Sequence, residues 1–187
     1  MRHILIIGAG RSASSLIQYL LNKSEKEQLH LTIGDLSIEL AQKKTANHPN
    51  ATALAFDIFN ENQRQTEIQK ADIVISMLPA HLHFEVAKDC IKYKKHMVTA
   101  SYISEAMQSL DADAKANNLI FMNEIGLDPG IDHMSAMKII DEIREQGGKM
   151  LLFESFCGGL VAPESDNNLW NYKFTWNPRN VVLAGQG

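Results

Sequence analysis

The stretch HILIIGAGRSASSL, from His3 to Leu16, limits the possible folds more than any other part of the chain. An apolar run meets Gly8-Ala9-Gly10-Arg11-Ser12-Ala13, a GxGxxA turn, and an amphipathic segment follows. In such a turn the first glycine permits a sharp exit from a strand. The second leaves room for a pyrophosphate to approach the backbone, and the closing small residue lets helix and strand pack closely. The free N–H groups at the helix start then face the phosphates, where the helix dipole also favours negative charge. A turn of this kind near the amino end predicts that strands and helices alternate in the chain beyond it.

They do. HILIIG (3–8), LHLTIGD (29–35), ATALAF (51–56), DIVISML (72–78), HMVTAS (96–101) and LIFMN (119–123) read as strands. Between them, SASSLIQYLLNK (12–23), 37–45, ENQRQTEIQK, HFEVAKDCIKYK and SEAMQSLDADAKANN read as helices. Strands that are apolar throughout are buried on both faces, the mark of a parallel sheet covered by helices. The fold class is therefore α/β, a doubly wound parallel sheet of about six strands. The expected division is a nucleotide-binding domain over 1–126, then a connecting helix and the incomplete start of a second α/β substrate or dimerisation domain over 127–187. In that second part a helix is expected from Ile131 to Gln146, stopped by Gly147-Gly148. A strand in KMLLFESFCGG and an aromatic antiparallel strand over 169–176 are expected after it. About 37 residues beyond the helix cannot build a core of their own, so the chain reads as a fragment, or as one whose strands find cover in a partner.

Bulk properties narrow the function. A net charge of −4 with scattered Lys and Arg offers no electrostatic footprint for nucleic acid. No run approaches the ~20 apolar residues of a membrane span. Cys90 and Cys157 stand far apart without a CxxC, so neither a disulfide framework nor a metal site is expected, and a cytoplasmic location is.

Asp35 ends the second strand near the spacing at which a carboxylate meets the adenosine ribose. It would repel a 2′-phosphate, and Leu36 and Ser37 supply no arginine to offset that, so NAD is expected over NADP. The alternative role for Asp35 is to cap the next helix, which Ser37 would do equally well. Phe56 and Asp57 follow the third strand and are candidates to flank the adenine; Pro79 ends the fourth on the nicotinamide side. His81 and His83 sit near that strand end, either as acid–base candidates or as two surface histidines at a helix start. Glu124-Ile-Gly-Leu-Asp128-Pro129-Gly130 returns a carboxylate and a helix start to the carboxyl edge, with Asp132 as a capping candidate. The Met134, Met137 and Ile140 side is spaced like a core face.

TASYIS (99–104), NEIGLDPGIDH (123–133), SFCGGLVAPES (155–165) and YKFTWNPRNV (172–181), with the GxGxxA, resemble the glutamate-forming saccharopine dehydrogenase family. The resemblance implies a Rossmann domain followed by a substrate domain, over roughly twice this length. It implies a cytoplasmic oxidoreductase of lysine metabolism exchanging hydride at a carbon–nitrogen bond, interconverting saccharopine with glutamate and 2-aminoadipate 6-semialdehyde. It places Gly10, Arg11, Ser12 and Ala13 on the pyrophosphate, Asp35 and Leu36 on the ribose, and Phe56 and Asp57 by the adenine. Leu78, Pro79 and Ala80 would lie along the nicotinamide, and Thr175 would close the cofactor pocket. Ser101, Tyr102 and Asp128 would meet the substrate; no general base is assigned. Relatives favouring NADP carry an arginine where this chain has Asp35, which again points to NAD. Cys157, in FCGG, reads as a small buried residue rather than a nucleophile. A carboxynorspermidine dehydrogenase-type enzyme and a non-catalytic dinucleotide-binding module are the rival readings, and a homodimer is the expected assembly.

Overall fold

The structure, a computed structural model, describes residues 1–156, 158 and 160–173. The chain divides into two compact units, Met1–Lys138 and Ile139–Gly187.

The first unit is built on a six-stranded parallel sheet in the order β3-β2-β1-β4-β5-β6. The strands are β1 (Arg2–Ile7), β2 (Leu29–Asp35), β3 (Ala51–Ala55), β4 (Ile73–Ser76), β5 (His96–Thr99) and β6 (Phe121–Met122). The helices that connect them are α1 (Ser14–Lys23), α2 (Ile38–Thr45), α3 (Glu61–Lys70), α4 (His83–Tyr93), α5 (Glu105–Gln108) and α6 (Asp111–Ala116). Strand order reverses beside β1, so the chain builds outward through β2 and β3 and then returns to lay β4 on the other side. That reversal opens a crevice at the carboxyl ends of β1 and β4, where ligands of open α/β sheets bind.

Alternation along β1 shows how the core is split. Leu5 and Ile7 join a cluster with Ile68 of α3 and Val86, Ala87 and Cys90 of α4. Ile4 and Ile6 join the other, with Ala13, Ile17 and Leu21 at α1 and Ala41 of α2. Successive residues of a strand point to opposite faces, so a stretch buried on both must be apolar throughout, as residues 4–7 of β1 are.

Side-chain caps set the helix starts. Ser37, Asn60 and Ser104 accept from the N–H groups of Leu40 (3.2 Å), Gln63 (3.1 Å) and Met107 (3.2 Å). On the α3–α4 side, Arg64 and Asp89 form a buried pair: Nε donates to Oδ2 at 2.6 Å, and Nη1 donates to the Ile58 carbonyl at 2.6 Å. The expected single helix over 104–118 is broken at Ser109-Leu110 into α5 and α6. There the Ser109 hydroxyl bonds back to the Ala106 carbonyl at 2.7 Å, a local bond that competes with helix continuation.

The helix α7 (Ile131–Glu145) begins in the first unit and is closed by the N–H groups of Gly147 on Arg144 O (2.9 Å) and Gly148 on Ile143 O (2.8 Å). Its expected core face is not covered among the described residues: Met134 is 57% and Met137 47% exposed. In the second unit the expected strand over Met150–Phe156 does not form. Leu151, Leu152, Phe153 and Phe156 are exposed and none lies in a strand, because a strand persists only with a neighbour to take its ladder and none is described. Part of the expected aromatic strand, and Cys157 and Thr175, lie outside the described residues.

Candidate functional site

Every loop leaving a carboxyl end of the sheet reaches one edge, and hydrogen bonds lock adjacent loops together there. Gly8 has φ +108°, and a side chain on it would meet the Met77 carbonyl oxygen at 2.9 Å, so only glycine turns the chain here without strain. Its N–H donates to the Gly34 carbonyl (2.7 Å), while the Met77 N–H donates to the Ile7 carbonyl (2.8 Å). Gly10 is exposed, with open space where a Cβ would stand. Arg11 and Ser12 are exposed beside it on a short turn of 3-10 helix, and Ala13 is fully buried under α1. Lys44 reaches the Ser14 hydroxyl, adding a second cation at the head of that helix.

Ser37 caps α2, and Asp35 braces the glycine turn: Oδ2 accepts from the Ala9 N–H at 2.7 Å and Oδ1 from the Ser37 N–H at 3.0 Å. Leu36 is 74% exposed. Phe56, expected beside the adenine, is buried in the core, its ring packed against Gly34; it offers no free aromatic face. Asp57 is exposed and accepts from the Phe59 N–H at 2.9 Å. Leu78 is half-buried, and Pro79 and Ala80 are exposed at the start of the loop after β4.

The substrate-side candidates lie together on the next two loops. The Glu124 N–H donates to the Ser101 carbonyl (3.1 Å), and a Glu124 carboxylate oxygen accepts from the Ile103 N–H (3.0 Å). The Tyr102 hydroxyl donates to Asp128 Oδ1 at 3.5 Å. Partial burial, and then the negative charge of Asp128, raise the Tyr102 pKa and keep the phenol protonated. The turn carrying Asp128 is folded tightly on itself, because the Gly126 N–H donates to the Pro129 carbonyl at 2.8 Å. Gly130, at φ +147°, stands where a side chain would collide with the Gly126 backbone. Asp132, the second residue of α7, bonds back to the turn before the helix: Oδ1 accepts from the Gly130 N–H (2.9 Å) and contacts the His133 ring at 2.7 Å. Burial opposes its ionisation, but these hydrogen bonds and the His133 charge outweigh that and lower its pKa.

His83 is not the surface histidine that one of its two expected readings made it: the first residue of α4, it is 3% exposed. Its ring lies between three hydroxyls, with Nδ1 2.8 Å from Ser76 Oγ and Nε2 2.8 Å from Ser101 Oγ and 3.1 Å from Thr99 Oγ1. Burial, reinforced by the His81 charge, lowers its pKa to about 4. The ring is neutral at physiological pH. Cys90, packed in the same helix, has its thiol pushed well up by burial and is inert.

Among the described residues there is no His, Cys, Asp and Glu cluster able to hold a metal, and no helix long and apolar enough to cross a membrane.

A family described as the saccharopine dehydrogenase NADP binding domain matches residues 4–122, and the saccharopine dehydrogenase C-terminal domain matches 126–187. The saccharopine dehydrogenase [NADP(+), L-glutamate-forming] of Pyricularia oryzae is 41% identical over 183 residues, covering 98% of this chain and 40% of that protein. An alpha-aminoadipic semialdehyde synthase of Arabidopsis thaliana is 36% identical over 200 residues, covering 98% of this chain and 19% of that one. Apo saccharopine dehydrogenase (L-Glu forming) from Saccharomyces cerevisiae superposes with a TM-score of 0.84 at 36% identity, over 98% of this chain and 40% of its own. The chain thus spans about two fifths of the fungal relatives. These matches overturn the expectation of NAD, since both the matching nucleotide domain and the fungal enzymes are NADP proteins. The fold supplies cations that the residues next to Asp35 do not: Arg11 stands exposed on the glycine turn, and Lys44 of α2 reaches the Ser14 hydroxyl beside it.

Proposed function

The chain belongs to the saccharopine dehydrogenase family, and from that premise we propose that it is the NADP-binding domain and the start of the substrate domain of a glutamate-forming saccharopine dehydrogenase. The join between the two family matches, at 122 to 126, supports ending the nucleotide domain at residue 126. The reaction is oxidation of the secondary amine of saccharopine by NADP. When bound, NADP would supply the hydride acceptor for the carbon beside nitrogen, and water would hydrolyse the imine so formed to glutamate and 2-aminoadipate 6-semialdehyde. The cofactor carries the hydride, and the protein supplies binding and orientation.

In this reading the N–H groups that follow Gly10 meet the diphosphate, with the Arg11 and Ser12 side chains beside them, while the Ala9 N–H is held by Asp35. Arg11 and Lys44 supply the positive charge that an extra phosphate requires. Leu78, Pro79 and Ala80 line the nicotinamide half, and Ser101, Tyr102 and Asp128 meet the substrate. The Asp128 carboxylate suits a cationic amine for plain electrostatic reasons. One observation carries the proposal: the glycine turn after β1 and the Tyr102–Asp128 pair after β5 and β6 leave the same carboxyl edge of one parallel sheet. The test is a titration of the complete gene product with NADPH and NADH, followed by turnover of saccharopine. Saturable NADPH binding, at least about tenfold tighter than NADH, with NADPH formation from saccharopine, supports the reading; binding without turnover rejects the enzyme.

A homodimer is proposed as well. The exposed apolar residues of 151–156 and Leu169-Trp170 support the view that these surfaces are covered in the assembled protein, and a clean monomer on sedimentation contradicts it.

A further inference from the structure

The loop after β4 and the loop after β5 are joined through one imidazole. Ser76 and Thr99 are register partners at the last paired positions of their strands. His83, entering from the first turn of α4, places a ring nitrogen on each of them and then extends one bond further, to the Ser101 hydroxyl at 2.8 Å. Ser76, His83 and Thr99 are buried, whereas Ser101 is half-buried. Ser101 is thus the member of the group that can face a ligand. Its main chain is held too, through the Glu124 N–H on its carbonyl and a long contact, 3.4 Å, from its own N–H to Thr99 Oγ1.

We propose that His83 is a positioning residue that fixes the rotamer and hydrogen-bond polarity of the Ser101 hydroxyl, and through it the placement of the substrate against the nicotinamide. This rests on the reading of Ser101 as a substrate contact. A serine hydroxyl free to rotate presents its proton or a lone pair indifferently. With Nε2 at hydrogen-bonding distance one of those directions is taken, and the remaining ones are defined for the ligand. Nδ1 on Ser76 prevents the ring from turning, so the Ser76 hydroxyl, buried beneath the ring, acts on the substrate through two intermediates.

The amide nitrogen of glutamine reaches about as far as histidine Nε2, whereas that of asparagine reaches only the Nδ1 position. His83→Gln therefore keeps the bond to Ser101, and His83→Asn keeps only the bond to Ser76. In steady-state assays of the complete gene product with saccharopine and NADP, His83→Asn is expected to lower kcat/KM for saccharopine at least about tenfold. It should match Ser101→Ala, with no further loss in the double variant, while the NADPH dissociation constant moves less than about twofold. His83→Gln should restore most of the loss. A purely structural histidine would make Asn and Gln equally damaging and would weaken NADPH binding as well; either result overturns the proposal. If His83→Asn does not fold, Ser76→Ala, a smaller change that frees Nδ1, is expected to lower kcat/KM with NADPH binding intact, and a wild-type value overturns the proposal. A wild-type protein that does not oxidise saccharopine rejects the underlying functional reading instead, a result distinct from an active enzyme indifferent to residue 83.

Discussion

The burial of His83 makes the stability of this protein depend on pH in a calculable way. The folded-state pKa is lowered from 6.5 to about 4 by burial, with the His81 charge adding to the effect. The unfolded chain, with a solvated imidazole, takes up its proton first. The contribution of His83 to stability is therefore complete above pH 6.5 and is lost as pH falls through 6.5 towards 4. The difference in bound protons, integrated from about pH 7.5 to about pH 5, amounts to about 2 kcal/mol. Isolating that quantity requires a reference lacking the titrating group, and His83→Gln provides one. Urea denaturation followed by far-ultraviolet circular dichroism at both pH values yields the gap between wild type and variant. Carboxylates and histidines that do not interact with residue 83 contribute equally to both proteins and cancel. The wild-type advantage is expected to shrink by about 2 kcal/mol at the lower pH. A gap constant to within about 0.5 kcal/mol, beyond the error of such extrapolations, would refute the claim that the ring is buried neutral.

Other perturbations bear on separate parts of the structure. Gly8→Ala forces a side chain into the Met77 carbonyl at a backbone angle only glycine holds easily. It should cost about 1–3 kcal/mol of stability and abolish NADPH binding, checked by denaturation and by fluorescence titration. Asp89→Ala leaves the buried Arg64 guanidinium with only Glu85, at 4.0 Å, as a carboxylate partner, and urea unfolding should show a loss of about 3 kcal/mol, with Asp89→Asn losing less. Asp35→Ala removes the acceptor for one backbone donor of the glycine turn, at Ala9, and one of the loop after β2, at Ser37. Paired titrations should show NADPH and NADH weakening together, by about 1.5–3 kcal/mol; a switch in preference alone would show that the carboxylate acts on the ribose and not on the turn.

The sheet was legible because its signals are local. The run LHLTIGD is β2 to the residue, and ENQRQTEIQK is α3 to the residue, since unbroken apolar or polar runs bounded by turn residues leave the backbone few choices. Signals failed where the deciding partner lies elsewhere. KMLLFESF has the apolar content of a strand, but a strand also needs a neighbour. The neighbours of His83 stand 7, 16 and 18 residues away, and nothing in HLHFEV marks one histidine as buried and the other as exposed. A leading serine or threonine at the ends of two adjacent parallel strands, Ser76 and Thr99, was the available hint, since hydroxyls at apolar strand ends require partners. Cofactor choice failed for a related reason: an offsetting cation was sought at Leu36 and Ser37, whereas the fold brings Lys44 to Ser14, 30 residues away in sequence.

The central claim is that the bends after β1, β5 and β6 enclose one crevice holding a dinucleotide beside an amine. Hydrogen exchange of the complete gene product, alone, with NADPH, and with NADP and saccharopine together, tests it most directly. The account predicts that NADPH slows exchange at residues 8–14, and that saccharopine adds protection at 101–103 and 126–131. Protection by NADPH confined to other segments, or by saccharopine away from those two loops, would contradict it.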